Sequence, residues 1–294
     1  MSTIYTKETL QRYLKEIFPE EDLSLISPKR IGGMSNFNYK VEINGRSYVL
    51  RIPGHGSSGM VERKIELYNS ALACDLGINP KIVYFNPSTG IKLTDYIDDV
   101  VTFDKESIQI NENVVRVAKI LLRLHSSPKL QSNRFDLFHE IGKYDHLVED
   151  LGAKMYDGWE SFKENIKVIK QKLPQESALL RPCHNDLVPE NFIQSKSGLL
   201  YLIDWEYSGM NDPVADVAAL FLECEFTVPN QNKFLELYYD GNVPSNITER
   251  LLCYQVLWDC LWAQWTVIKE AEGDDFGTYG INRYKRAISN YKKL

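Results

Sequence analysis

Cys183-His184-Asn185-Asp186-Leu187-Val188-Pro189-Glu190-Asn191 is the stretch of this 294-residue chain whose residue types and spacing say most about chemistry. Asp186 and Asn191 stand five apart. Thirteen residues after Asn191, at the end of the apolar run Leu200-Tyr201-Leu202-Ile203, come Asp204, Trp205 and Glu206. Phosphoryl transfer asks for a carboxylate beside the attacking hydroxyl and for two oxygen ligands to Mg²⁺, fixed on adjoining strands. A loop carrying Asp186 and Asn191, followed by a short hairpin ending at Asp204, would deliver all three to one point.

Those residues need elements to hold them. Tyr39–Ile43 and Arg46–Ile52 alternate apolar and polar residues around Asn44-Gly45, a pair that takes positive φ at both positions and so predicts a tight hairpin. An amphipathic helix precedes it in MSTIYTKETLQRYL, and a helix over 61–76 follows, stopped by Gly77. Lys81–Phe85 and Ile91–Tyr96 read as two further strands. Beyond residue 96 the pattern turns helical, over Asn113–Ser126, Trp159–Lys172, Pro213–Phe226, Asn230–Tyr239 and Thr248–Ala271. Two β-like segments, Phe192–Gln194 and Leu200–Ile203, interrupt it. The fold class read from this order is α+β, with a small β-rich lobe over 1–96 and a larger, mainly helical lobe over 97–294.

Composition narrows the partners. Hydrophobic residues make up 44% and charged residues 25%, as in an ordinary globular protein. The longest apolar run, Val217–Leu222, is far short of a membrane span. Residues 1–95 carry 12 basic and 10 acidic side chains, and the remainder 22 and 30, so the net charge of −6 divides as +2 and −8. That split argues against nucleic acid as a partner. It suits an anionic ligand in the first part and a cationic one in the second, with solvated surface charge as the plainer reading. Five cysteines without a Cys-x-x-Cys pair or zinc-ligand spacing read as reduced thiols, and the N-terminus lacks a signal-peptide pattern, so a cytoplasmic location is expected.

A lone His-x-Asp is most often a satisfied turn. The whole pattern His-x-Asp-Leu-x-x-x-Asn, with an Asp following a strand at this distance, matches the kinase catalytic loop. Over nearly its whole length, from Ile31-Gly32-Gly33-Met34-Ser35-Asn36 to Phe276–Arg283, the sequence resembles the bacterial choline kinases, within the superfamily of choline/ethanolamine kinases and aminoglycoside phosphotransferases. The most specific segments are His184–Phe192 and Ile203–Pro213. The resemblance implies a protein-kinase-like fold of two lobes that uses ATP and Mg²⁺ to phosphorylate a small alcohol. Choline, giving phosphocholine and ADP, is the leading substrate. Ethanolamine, an aminoglycoside or thiamine are the alternatives. No Ala-Pro-Glu and no long activation segment follow Asp204, so a protein substrate has no platform.

Carried over residue by residue, the resemblance implies that Asp186 is the catalytic base, that Asn191 and Asp204 hold magnesium, and that Glu206 assists them. His184 becomes an organiser of the loop. A Cys183-His184 nucleophile is a poor reading, since neighbours on a strand face opposite ways. Arg51 stands where protein kinases carry a strand lysine, as in choline kinases, and offers a forked donor set to phosphate. Its expected partner is Glu66, with Glu62 one turn earlier as the alternative. Gly33, Ser35 and Asn36 fall in a phosphate-covering loop that lacks the full glycine pattern, and Thr94–Ile97 is the hinge whose backbone meets adenine. Trp258, Trp262 and Trp265 share one helix face, a stripe that by itself suits core packing as well as a cation cage. The resemblance assigns Trp262, Trp265, Tyr279 and Glu223 to the cage, with Tyr207 beside them and Trp258 left in the core.

Overall fold

Alternation of buried and exposed side chains builds the first sheet. The structure, a computed structural model, describes residues 5–32, 36–54, 61–174 and 179–294, so Gly33 and Ser35 lie outside the described residues. The chain divides into two units, 1–101 with 193–206, and 102–192 with 207–294.

In the first unit, strands β1 (Lys29–Arg30), β2 (Asn36–Ile43), β3 (Arg46–Pro53), β4 (Ile82–Phe85) and β5 (Lys92–Asp95) form one antiparallel sheet in the order β1-β2-β3-β5-β4. The predicted hairpin is β2–β3, closed at Ile43 opposite Arg46. Asn44 and Gly45 have φ of 51° and 72°, the two left-handed residues that a tight turn of matching twist requires. Phe37, Tyr39, Val41 and Ile43 of β2 and Tyr48, Leu50 and Ile52 of β3 are buried in one cluster with Leu10 and Leu14 of helix α1 (Lys7–Ile17). Arg51 therefore projects from the opposite face, towards helix α2 (Arg63–Asp75). Gly77, with φ of 68°, ends the turn after α2 as its position in the sequence suggests.

Strands β6 (Val101–Thr102), β8 (Phe192–Gln194) and β9 (Leu200–Leu202) make a second sheet in the order β6-β8-β9. Residues 193–206, which the sequence order sets within the helical lobe, belong to the first unit. The reason is hydrogen bonding: Leu202 N–H donates to the Ile78 carbonyl at 2.7 Å, and the buried Trp205 indole to Asn79 Oδ1 at 3.1 Å.

The second unit is helical: α3 (Asn111–His125), α4 (Leu137–Asp150), α5 (Trp159–Lys172), α6 (Pro213–Glu223), α7 (Val228–Tyr238), α8 (Ile247–Ala271) and α9 (Tyr279–Tyr291). Helix α8 is its axis, packed by α4, α5, α6 and α9. The two-stranded pair β7 (Arg181–Cys183) and β10 (Gly209–Asn211) sets Gly209 opposite Cys183. Helices α4 and α9 have no counterpart in the expected order. Gly280 shows how closely α9 packs on α8, since a Cβ there would collide with the Tyr156 hydroxyl and lie 2.7 Å from Thr266 Cβ. Among the described residues, no helix is long and apolar enough to cross a membrane, and the five cysteines are free thiols.

Candidate active site

In the first unit the site begins with a cross-strand conflict. Arg51 of β3 lies directly opposite Lys92 of β5, and like charges so placed repel. Glu66 of α2 resolves it. Its fully buried carboxylate receives Arg51 in a fork, at 2.6 Å to Oε1 and 2.9 Å to Oε2, and Lys92 at 3.0 Å. Arg63 adds a third cation at 2.7 Å and reaches Glu206 at 2.9 Å. Burial works to raise the Glu66 carboxyl, but Lys92, Arg51 and Arg63 together outweigh it and hold it below the usual carboxylate range. Of the two acids left open as Arg51's partner, it is Glu66 that pairs; Glu62 is exposed at the start of α2.

The same arginine reaches Asp204 at 3.4 Å and lies 3.9 Å from Glu206. Asp204 turns the chain after β9 with φ of 68°, a conformation that a short acidic side chain tolerates. Its side chain stays 30% exposed. The side chain of Glu206 is only 6% exposed, and burial followed by the Asp204 charge pushes its carboxyl up. Two mutually repelling carboxylates form a hard-oxygen set that fits magnesium. Asn36 is buried at the start of β2, and Ile97 is half-buried just past β5.

In the second unit the loop is held from beneath. Asp216 of α6 is fully buried and accepts the backbone N–H groups of His184 (2.8 Å) and Asn185 (2.7 Å). Its Oδ2 also lies 3.0 Å from His125 Nε2, and His125 Nδ1 lies 2.5 Å from the Tyr238 hydroxyl. Burial opposes the charge of Asp216, yet these hydrogen bonds prevail and lower its carboxyl. Asn185, with φ of 65°, bridges to the carbonyls of Tyr207 and Gly209 and accepts from Asn211 Nδ2 at 2.9 Å. The loop so pinned brings Asp186 and Asn191 together: Asn191 Nδ2 donates to the Asp186 carbonyl at 2.8 Å and to its Oδ2 at 3.1 Å.

His125, Cys183 and Asp216 also cluster as a metal site would. Burial keeps the Cys183 thiol far above its ordinary value, and it donates to the Asn211 carbonyl. The group therefore works as a hydrogen-bonded brace, and the same protonated thiol is no nucleophile.

Rings in sequence line the other part of this unit. Tyr207 meets Trp262 edge-on at 5.4 Å, Trp262 meets Trp265 at 6.0 Å, Trp265 meets Phe276 at 4.9 Å, and Phe276 lies 6.5 Å from Tyr279. Trp258 is fully buried, stacked between Phe135 and Trp262, with its indole N–H on the Ala215 carbonyl. Burial raises the Tyr279 hydroxyl to about 12, and the Asp186 charge contributes. Glu223, at the end of α6, is gripped by Arg283 of α9.

Sequence reading passes over several of these residues: Asp216, His125, Arg63, Lys92, Phe276 and Arg283. Asp216 is the most legible, an acid inside the run Val214–Leu222 that demands partners wherever it is buried.

With this geometry in place, similarity to known proteins becomes specific. The chain is 34% identical over 274 residues to the LicA protein of Haemophilus influenzae, covering 90% of this chain and 79% of that one. The crystal structure of the choline kinase LicA from Streptococcus pneumoniae superposes with a TM-score of 0.85 at 38% identity, covering 97% of this chain and 99% of that one. An aminoglycoside-3'-phosphotransferase of type VIII shares the protein-kinase-like fold alone, with a TM-score of 0.62 at 18% identity over 87% of this chain and 98% of that one. Residues 29–288 match the choline/ethanolamine kinase family, and the chain belongs to that family.

Proposed function

We propose that the protein transfers the γ-phosphoryl group of ATP to the hydroxyl of choline, yielding phosphocholine and ADP. The observation that carries this reading is the pairing of a pinned Asp186–Asn191 loop with a string of aromatic rings in one unit. A quaternary ammonium has no N–H to donate, so aromatic faces and nearby negative charge are what can hold it. The assigned cage is Trp262, Trp265, Tyr279 and Glu223, with Tyr207 beside them. Asp186 takes the proton from the choline hydroxyl as its oxygen attacks the γ-phosphorus and the bond to ADP breaks. Arg51, fixed by Glu66, meets phosphate oxygens with its forked donors. Asn191, Asp204 and Glu206 are assigned to magnesium, which when bound neutralises charge on the transferring group. Asn36 and the backbone near Ile97 are assigned to nucleotide contacts, as are Gly33 and Ser35, which lie outside the described residues.

Measuring ADP release against choline, ethanolamine, thiamine and kanamycin tests the proposal. Choline is expected to give the highest kcat/KM; a higher value for any of the others overturns it.

A further inference from the structure

The acid assigned to the cage is already engaged. Arg283 is 5% exposed and forks onto Glu223, with Nη1 at 2.5 Å from Oε1 and Nη2 on Oε2. Nη2 also donates to the Tyr279 hydroxyl at 2.5 Å, and Nη1 to Asp259 at 3.2 Å. Its Cζ lies 4.7 Å from the Tyr279 ring centroid, so a cation already covers that ring. Asp259, fully buried, is shared with Arg286 at 2.7 and 2.8 Å. Two carboxylates and two guanidiniums thus balance beside Tyr279.

This arrangement treats two classes of substrate cation differently. A quaternary ammonium asks for aromatic faces and nearby negative charge but needs no hydrogen-bond acceptor. A primary ammonium brings three N–H donors, and burying them unpaired is costly. Glu223 is the acid assigned to the cage, and both of its oxygens face guanidinium N–H groups. We infer that Arg283 sets the preference for quaternary over primary ammonium, by holding the Glu223 carboxylate in a fork and denying it to an incoming N–H. Arg283 acts through Glu223 and Tyr279 and is a positioning residue. The inference rests on the choline reading above.

Arg283→Gln removes the guanidinium. Arg283→Lys keeps the charge but replaces the fork with a compact ammonium that cannot serve both Glu223 oxygens and Tyr279 together. The readout is the ratio of kcat/KM for ethanolamine to that for choline. One charge-assisted hydrogen bond gained by ethanolamine raises that ratio about tenfold in Arg283→Gln, and about threefold in Arg283→Lys, where a single oxygen is released in part. A purely structural arginine would lower both substrates together and leave the ratio unchanged. If Arg283→Gln does not fold by circular dichroism, Arg283→Lys decides alone. An unmodified protein that prefers ethanolamine overturns the choline reading and this inference with it. One that prefers choline, while folded Arg283→Lys keeps the wild-type ratio, overturns the inference only.

Discussion

A carboxylate acts as a base when it is near its proton and held there, and the environment of Asp186 speaks to both. The amide of Asn191 donates to one of its oxygens, and the two residues before it are anchored through backbone N–H groups on buried Asp216. Asp216 is supported in turn by His125, so the loop conformation, with Asn185 left-handed, does not depend on substrate to form it. Removing the carboxylate proposed as the base should therefore spare the loop. Asp186→Ala is expected to lower kcat at least about a thousandfold, near the upper range for loss of a general base together with its positioning. Affinity for nucleotide should stay within about threefold of wild type, because Arg51 and Glu66 are untouched. Steady-state rates and a nucleotide titration measure the two. Retained turnover removes Asp186 from the role of base.

Elements explain which parts of this were readable in advance. The β2–β3 hairpin was legible because Asn44-Gly45 permits few turns, and α5 matches its predicted bounds, Trp159–Lys172, because a polar exposed side contrasts with Phe162, Ile166 and Ile169. Helix α9 was hidden for the opposite reason. Its segment is amphipathic, but the buried face mixes Tyr284 and Ala287 with Gly280, Arg283 and Asn290, three residues that hydropathy alone sets outside a core. Arg51 could be placed because it stands where protein kinases carry a strand lysine, whereas the Lys92 and Arg63 contacts to Glu66 join residues brought together by pairing and helix placement. The tryptophan stripe on α8 shows the limit most clearly, since three residues at helical spacing look alike in sequence. In the structure Trp258 is sealed between Phe135 and Trp262, while Trp265 is only half-buried. Both Trp258→Ala and Trp262→Ala should cost about 3–5 kcal/mol of stability, as large-to-small core changes do. Only Trp262→Ala is expected to raise the KM for choline, by about tenfold on loss of a cation–π face. Equal KM values in the two variants, compared by thermal melts and kinetics, would reduce Trp262 to packing.

At the scale of the whole molecule, each unit carries a buried carboxylate that its neighbours hold in the charged form. Glu66 sits among Arg51, Arg63 and Lys92 in the first unit, and Asp216 beneath the loop in the second; both are held below their ordinary values of 4.5 and 3.8. A group whose folded value is depressed stabilises the protein above its unfolded value, and that stability is lost as pH falls through the folded one. The two ordinary values fall close together, so acid should weaken both units in the same window. The melting temperature is expected to be level between pH 7 and about 5, then to drop by roughly 5 °C or more by pH 3, with each group supplying on the order of 1–2 kcal/mol. Glu66→Gln supplies the control. It leaves three cations around a neutral amide and should lower stability at pH 7 by about 3–5 kcal/mol, the penalty for breaking a buried ion pair. Its acid limb should then be shallower than that of the wild type, because one of the two titrating groups is gone. Melting curves taken from pH 7 to 3 on both proteins measure this, and a wild-type curve that stays flat to pH 3 would show that neither carboxylate contributes its charge to stability.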